Sequence, residues 1–276
     1  MSEARPLRWH AEELWEQLEP LLPGLSVEVL ARTESTNSLL LERARSGGHR
    51  RNDAEPCLLV AELQTRGRGR LGRLWHAESG ASLTFSLLLP MSASDWSGLS
   101  LVVGVALADA LDPPSPGVPP RIALKWPNDL WLADGSDRKL GGILIETVNA
   151  MLGRMAVVGV GLNIAPQRGL PETASLQDIG IALDAPGALL RVAQPLVQAL
   201  RRFETAGLAP FAERFDARDL LRGRPITTTL PDAPEGIAEG IDAHGALRVR
   251  GPAGELLISS GEVSVRPASR AGGGAH

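Results

Sequence analysis

The chain has 276 residues, 43% of them apolar and 22% charged, which is enough apolar material for one large domain and a small one beside it. A formal net charge of -4 and a pI near 5.8 argue against a general nucleic-acid binder, whose surface would be basic throughout. The single cysteine, Cys57, excludes an internal disulfide framework and a multi-cysteine metal site, and no basic leader or bilayer-length apolar run occurs, so no membrane association and a cytoplasmic location are expected.

Residues 9–22 place Trp9, Leu14, Trp15, Leu18, Leu21 and Leu22 at roughly helical spacing, and Pro23-Gly24 ends the pattern. Val27, Val29 and Leu30 indicate a strand. Ser35-Thr36-Asn37 then supplies side chains able to cap a helix over residues 38–46, which Gly47-Gly48 closes. Residues 57–63 and 82–89 read as buried strands, with Cys57 packing in the first, and the segment between them reads as a long excursion between two neighbours in one sheet. Residues 99–111 suit a buried helix, and the Pro-rich run 113–120 closes it. Strand-like runs follow at 122–124, 130–132, 143–146 and 155–164, joined by turn residues typical of antiparallel hairpins. Residues 189–208 and 211–221 read as helices. From Ile226 onward short strands alternate with turns, the pattern of a small β-barrel, and residues 267–276 read as a frayed tail. The fold class is therefore α+β with a mixed, largely antiparallel sheet and flanking helices. The expected division is 1–222 for the main domain, 223–267 for the barrel and 268–276 for a disordered tail.

The excursion carries Gln64-Thr65-Arg66-Gly67-Arg68-Gly69-Arg70-Leu71-Gly72-Arg73. Four guanidinium groups on a glycine-rich backbone can surround an anion with charge-assisted donors, and Gly67 and Gly69 let the backbone approach a ligand and move as a lid. The same composition also fits a solvated arginine loop or an RNA-binding segment, although no aromatic residue stands between the arginines. In Lys125-Trp126-Pro127-Asn128-Asp129 the proline and the Asn-Asp pair would hold Lys125 at the end of a strand; an ordinary surface lysine before a turn is the alternative. Trp126 and Trp131 read as packing residues, and Asp129 as a turn cap with Mg²⁺ ligation as the alternative. Gly159-Val160-Gly161-Leu162-Asn163 lacks the spacing of a dinucleotide fingerprint, and its glycines more plainly admit a ligand or neighbouring strand. The five histidines show no metal spacing, no Gly-x-Ser-x-Gly element is present, and the metal ligands are left unknown.

In order along the chain, Ser35-Thr36-Asn37, the 64–73 loop with Trp75 after it, Lys125 to Asp129, the run Arg138-Lys139-Leu140-Gly141-Gly142-Ile143-Leu144-Ile145-Glu146, Gly159 to Asn163, and Ser175-Leu176-Gln177 together resemble the biotin–protein ligases. The resemblance extends from about residue 34 to 265. It implies a class II synthetase-like catalytic core and a small SH3-like C-terminal barrel. It also implies a two-step reaction in which biotin and Mg²⁺-ATP give biotinyl-5′-AMP, and a lysine of a biotin carboxyl carrier domain then takes the acyl group.

Carried over by position, Ser35, Thr36, Asn37 and Gln64 would meet the biotin head group, with Gly67, Arg68, Gly69 and Arg70 over it. Arg68, Arg70 and Lys125 would serve catalysis and, with Gly161 and Asn163, hold the adenylate. Two departures stand out. Only 34 residues precede Ser35, short of the roughly 50 an independent domain needs, so the monofunctional form, without a DNA-binding winged helix and without specific DNA binding, is expected as a monomer or homodimer. Where the best-known bacterial member has an adenine-packing tryptophan, Glu172-Thr173-Ala174 stands here. A lipoate or octanoate ligase or transferase of the same fold is the nearest alternative, and an RNA-binding protein the alternative of another class.

Overall fold

The computed structural model describes residues 7–46, 55–150, 153–230, 234–252, 254–259 and 266–267. The amphipathic helix α1 (Ala11–Leu18) buries Leu14 and Leu18 and is followed by β1 (Ser26–Leu30) and α2 (Thr36–Ser46). Next come β2 (Cys57–Ala61), a two-residue hairpin of β3 (Gly67–Arg68) and β4 (Leu74–Trp75), and β5 (Ser82–Pro90). After α3 (Leu99–Leu111), strands β6 (Ile122–Lys125), β7 (Asp129–Leu132), β8 (Lys139–Ala150) and β9 (Gly153–Asn163) run consecutively. Together they form a seven-stranded sheet in the order β1-β2-β5-β9-β8-β7-β6. Only β1 and β2 pair in parallel; every other neighbour is antiparallel. The arginine loop does link two neighbours, β2 and β5.

Both faces of this sheet are covered, which is why β2 is a continuous apolar run rather than an alternating one. Leu58 and Val60 face the main core, beneath the buried helix α3 and the long helix α4 (Ala185–Ala206). Their neighbours Cys57 and Leu59 face a second cluster with Leu40, Leu41 and Ala44 of α2. Burial pushes the Cys57 thiol up to about 11.

Helix α4 begins earlier than expected. Asp184 accepts a hydrogen bond from Gly187 N at 2.8 Å and Pro186 occupies the first turn, so the helix starts at Ala185 rather than 189. The expected helix over 211–221 is a correction. A 3-10 turn and the short α5 (Ala212–Asp216) occupy its first half, and residues 218–220 leave the helix to pair with β6, with Leu124 N donating to Arg218 O and Leu220 N to Leu124 O. Arg218 anchors this segment: its buried guanidinium is 2.8 Å from Asp109, 3.1 Å from Asp112 and 2.9 Å from the Ile122 carbonyl.

The C-terminal strands β10 (Pro225–Thr227), β11 (Glu235–Ile241), β12 (Leu247–Gly251), β13 (Gly254–Ile258) and β14 (Arg266–Pro267) form a five-stranded antiparallel sheet in the order β13-β12-β11-β10-β14. Its Ile226, Ala238, Leu247, Val249 and Ile258 join the main core. Gly245, in the β11–β12 turn at φ +82°, sits so close to Gly98, Leu101 and Leu208 that a Cβ would stand 2.9 Å from the Gly98 Cα. The expected helix end at Gly47-Gly48 and the expected tail at 268–276 lie outside the described residues. Among the described residues no helix is long and apolar enough to cross a membrane.

Candidate active site

The cleft has a neutral floor. At the start of α2, Thr36 donates from its backbone N to Gln64 Oε1 at 2.7 Å, and its hydroxyl lies 3.1 Å from the same oxygen. Gln64 is brought there because Thr33 and Gln64 extend the parallel β1–β2 pairing by one bridge. Ser86 of β5 sits beneath, its Oγ 2.6 Å from Thr36 Oγ1 and 2.5 Å from Asn37 Oδ1. Asn37 donates through Nδ2 to Leu144 O and to Glu146 Oε2, each at 3.1 Å. Gly159 of β9 leaves the space that Asn37 fills, since a Cβ there would fall 2.0 Å from Asn37 Oδ1. Thr36, Asn37 and Ser86 are themselves buried, so each must be paired or offered to a ligand.

A cationic rim stands around this floor. Lys125 ends β6, is 8% exposed, and lies 5.1 Å above the Trp131 ring. The Trp126–Pro127 peptide behind it is cis. Asn128 does not tie its own turn as expected but bridges to β8: its Nδ2 donates to Ile143 O at 2.7 Å and its carbonyl accepts from Ile143 N at 2.9 Å. Asp129 is engaged across the sheet instead, accepting from Lys139 Nζ at 2.7 Å. Among the described residues no group of three or more His, Cys, Asp or Glu converges to hold a metal.

The arginine segment is a hairpin over this rim rather than an unstructured loop, with Gly67 paired to Trp75, Arg68 to Leu74, and a 3-10 turn at Arg70–Gly72. Arg68 donates to Glu146 Oε1 at 3.0 Å and to Ser38 Oγ at 3.1 Å. Arg70 donates to Asn128 Oδ1 at 3.2 Å, and burial lowers its pKa against the opposing pull of Asp129. Trp75 lies across Gly161, where a Cβ would stand 2.3 Å from its Cε2, and Lys139 Nζ is 5.8 Å from its ring centroid.

Ser35, Thr36, Asn37, Gln64, Arg68, Gly69, Arg70, Lys125 and Gly161 thus all line one cleft of about 170 Å³. Three expected residues do not line it. Arg66 points out to Glu34, 3.5 Å away, so three arginines of the hairpin, not four, line the cleft. Gly67 is consumed by the hairpin, where a Cβ would meet Trp75 O at 2.5 Å. Asn163 donates to Ala174 O at 2.9 Å and fastens the segment after β9 to the sheet. Residues that the sequence reading gave no role also border the site: Trp75 and Lys139 line it, and Ser86 and Glu146 position its lining. For Ser86 the signal was Ser82-x-Thr84-x-Ser86, hydroxyls alternating inside an apolar strand.

A floor of neutral donors and acceptors, leading to clustered cations under an arginine-bearing hairpin, suits a small acid with a polar head whose carboxylate meets a nucleotide phosphate. That is the architecture of an acid-activating, adenylate-forming ligase. Residues 29–163 match the family model described as Biotin/lipoate A/B protein ligase family, and residues 223–266 match Biotin protein ligase C terminal domain. The Mycobacterium tuberculosis biotin--[acetyl-CoA-carboxylase] ligase is 37% identical over 86% of this chain and 88% of its own length. The Escherichia coli bifunctional ligase/repressor BirA is 36% identical over 90% of this chain and 77% of its own length. The Aquifex aeolicus biotin protein ligase in complex with biotin and ATP superposes with a TM-score of 0.72 at 30% identity, covering 88% of this chain and 99% of that one. The chain belongs to the biotin–protein ligase family.

Proposed function

We propose that this protein activates biotin with ATP and passes it to a lysine of a biotin carboxyl carrier domain. The biotin carboxylate oxygen attacks the α-phosphorus, the Pα–O bond to pyrophosphate breaks, and biotinyl-5′-AMP forms. The neutral lysine amine then attacks the acyl carbon, an amide forms as the nitrogen gives up a proton to solvent, and AMP departs with the bonding pair of the C–O bond. Thr36, Asn37, Ser35 and Gln64 hold the ureido ring. Lys125 follows the charge from the carboxylate to the phosphoryl oxygens, and Arg70 and Arg68 offset the second anion while the hairpin excludes water, which would hydrolyse a mixed anhydride. Gly161 leaves room for Trp75 beside the adenylate. Mg²⁺ would enter with ATP, bound mainly by its phosphates. We divide the chain into a catalytic unit at 1–222 and a small barrel at 223–267, following the two separate family matches.

The observation that carries this reading is the convergence of Asn37, Gln64, Arg70 and Lys125, from three separated segments, on one cleft. The test is pyrophosphate release on adding biotin and ATP, then transfer of labelled biotin to a carrier domain. Release supported by lipoate and not by biotin would overturn it.

A further inference from the structure

Glu146 sits at the back of the cleft with both carboxylate oxygens engaged, one by Asn37 Nδ2 and the other by Arg68. The bond to Asn37 decides which way that amide faces. An amide nitrogen has two hydrogens, and the two acceptors beside it, Leu144 O and Glu146 Oε2, take both. The reverse orientation would set the amide oxygen against a carbonyl and a carboxylate, with no hydrogen among the three. Oδ1 is thereby turned towards Ser86 and the space over Gly159, within the cleft.

We propose that Glu146 is a specificity-positioning residue: by locking the Asn37 amide with its oxygen towards the cleft, it makes the floor an acceptor for a ligand N–H. A cyclic urea supplies an N–H for the second lone pair of Oδ1, the first being taken by the Ser86 hydroxyl, whereas a dithiolane or a plain alkyl chain has none to offer. Glu146 touches no ligand itself and acts through Asn37. The proposal rests on the ligase reading above and names what selects the acid.

Glu146→Gln keeps the side chain's shape but puts a group that can donate as well as accept against Asn37, so the carboxylate's bias on the amide is lost and only Leu144 O still favours the present orientation. Biotin binding, measured by calorimetry without ATP on the full chain, should weaken about tenfold, the worth of one neutral hydrogen bond. In turnover the change should appear in the KM for biotin with kcat within about twofold. Because Glu146→Gln also releases Arg68, the binding measurement is repeated with Arg68→Ala in both arms, and the tenfold loss should persist. The deciding variant is Asn37→Asp combined with Glu146→Gln. Its new carboxylate accepts on the cleft side whichever way it turns, while the new amide at position 146 donates behind it, so binding should recover in part over Glu146→Gln, short of the parent because Leu144 O loses its donor. Asn37→Asp alone sets two carboxylates together and should not bind better than Glu146→Gln. Parent-like binding by Glu146→Gln, a loss that vanishes without Arg68, or no recovery in the double variant would each overturn the role of Glu146. Failure of the parent chain itself to bind biotin would instead remove the ligase reading, and this proposal with it.

Discussion

Replacing Gly161 with alanine tests whether the hairpin's position governs the chemistry. Gly161 does not need glycine's backbone freedom, since its φ is not positive, and it pairs in register with Thr84 and Gly142. The added methyl would stand 2.3 Å from Trp75 Cε2, 2.6 Å from Cζ2 and 2.7 Å from Nε1. Ordinary contact begins near 3.4 Å, so the indole must withdraw by about 1 Å. The Trp75 carbonyl lies close to Gly67, where a Cβ would meet it at 2.5 Å, so the strand pair leaves little room for Trp75 to shift alone. The whole hairpin moves instead, taking Arg68 and Arg70 with it. A misplacement of about 1 Å at a reacting centre is worth roughly 10²-fold in rate. Pyrophosphate release at saturating biotin and ATP should therefore fall about a hundredfold, while the thermal midpoint stays close to the parent's. Adding Trp75→Ala removes the clash, so the double variant should lose less than the product of the two single losses. A Gly161→Ala enzyme within twofold of the parent, or strictly multiplicative losses, would refute the reasoning.

Lys125→Ala should abolish turnover, by about 10³-fold, with the fold intact, and unchanged carrier labelling would refute its role. Arg68→Ala should retain pyrophosphate release but let more adenylate escape, read as labelling of bystander lysines; release as low as in Lys125→Ala with no free adenylate would count against a lid. Trp126→Phe leaves the Gly245 carbonyl without the indole N–H now 2.9 Å away, at a cost of about 1–3 kcal/mol in urea unfolding. An unchanged unfolding midpoint would show that this bond is not holding the small sheet to the lysine turn. Asp219 is raised by burial from 3.8 to about 6, and its Oδ2 has no partner. A carboxyl with a raised folded pKa favours the protonated native state, so stability is lost as pH rises from about 4 through 6. Asp219→Asn should thus stabilise the protein at pH 8, by at most ~3 kcal/mol, and have little effect at pH 4. Equal effects at both pH values would exclude titration of Asp219 as the cause.

The sheet was legible because its signals are local. Apolar runs bounded by glycine, asparagine and aspartate marked β2, β5, β6, β7 and β9 to within a few residues, and the long segment between two such runs was legible as an excursion between sheet neighbours, though not as a hairpin. What escaped was decided by distant partners. The pattern over 211–221 is helical in isolation, and only the placement of Asp109, Asp112 and the β6 edge explains why Arg218 turns inward. Asn163 has donor and acceptor groups suited to a ligand, yet the chain returning at Ala174 takes its amide. Glu146 reads as one charge at the end of an apolar strand, and nothing in its neighbours shows that Asn37, 109 residues earlier, will stand against it.

The cations of the site differ in how they are held, and that difference separates their roles. Lys125 is fixed from several sides: β6 pairs with β7, the 218–220 segment covers its other edge, and Trp126 anchors the turn to Gly245. A buried ammonium so constrained offers the same field before and after a ligand arrives, which is the preorganisation that lowers a barrier. Arg68 is the opposite case. Its side chain is 44% exposed on a strand of two residues paired only within its own hairpin, and its bonds go to Glu146 and Ser38, outside that hairpin. Exposed pairs of this kind contribute at most about 1 kcal/mol, so an acyl-phosphate can displace them at little cost. On the proposed function, bond making falls to the fixed charge and retention of the intermediate to the movable one, and the two steps should respond separately to mutation.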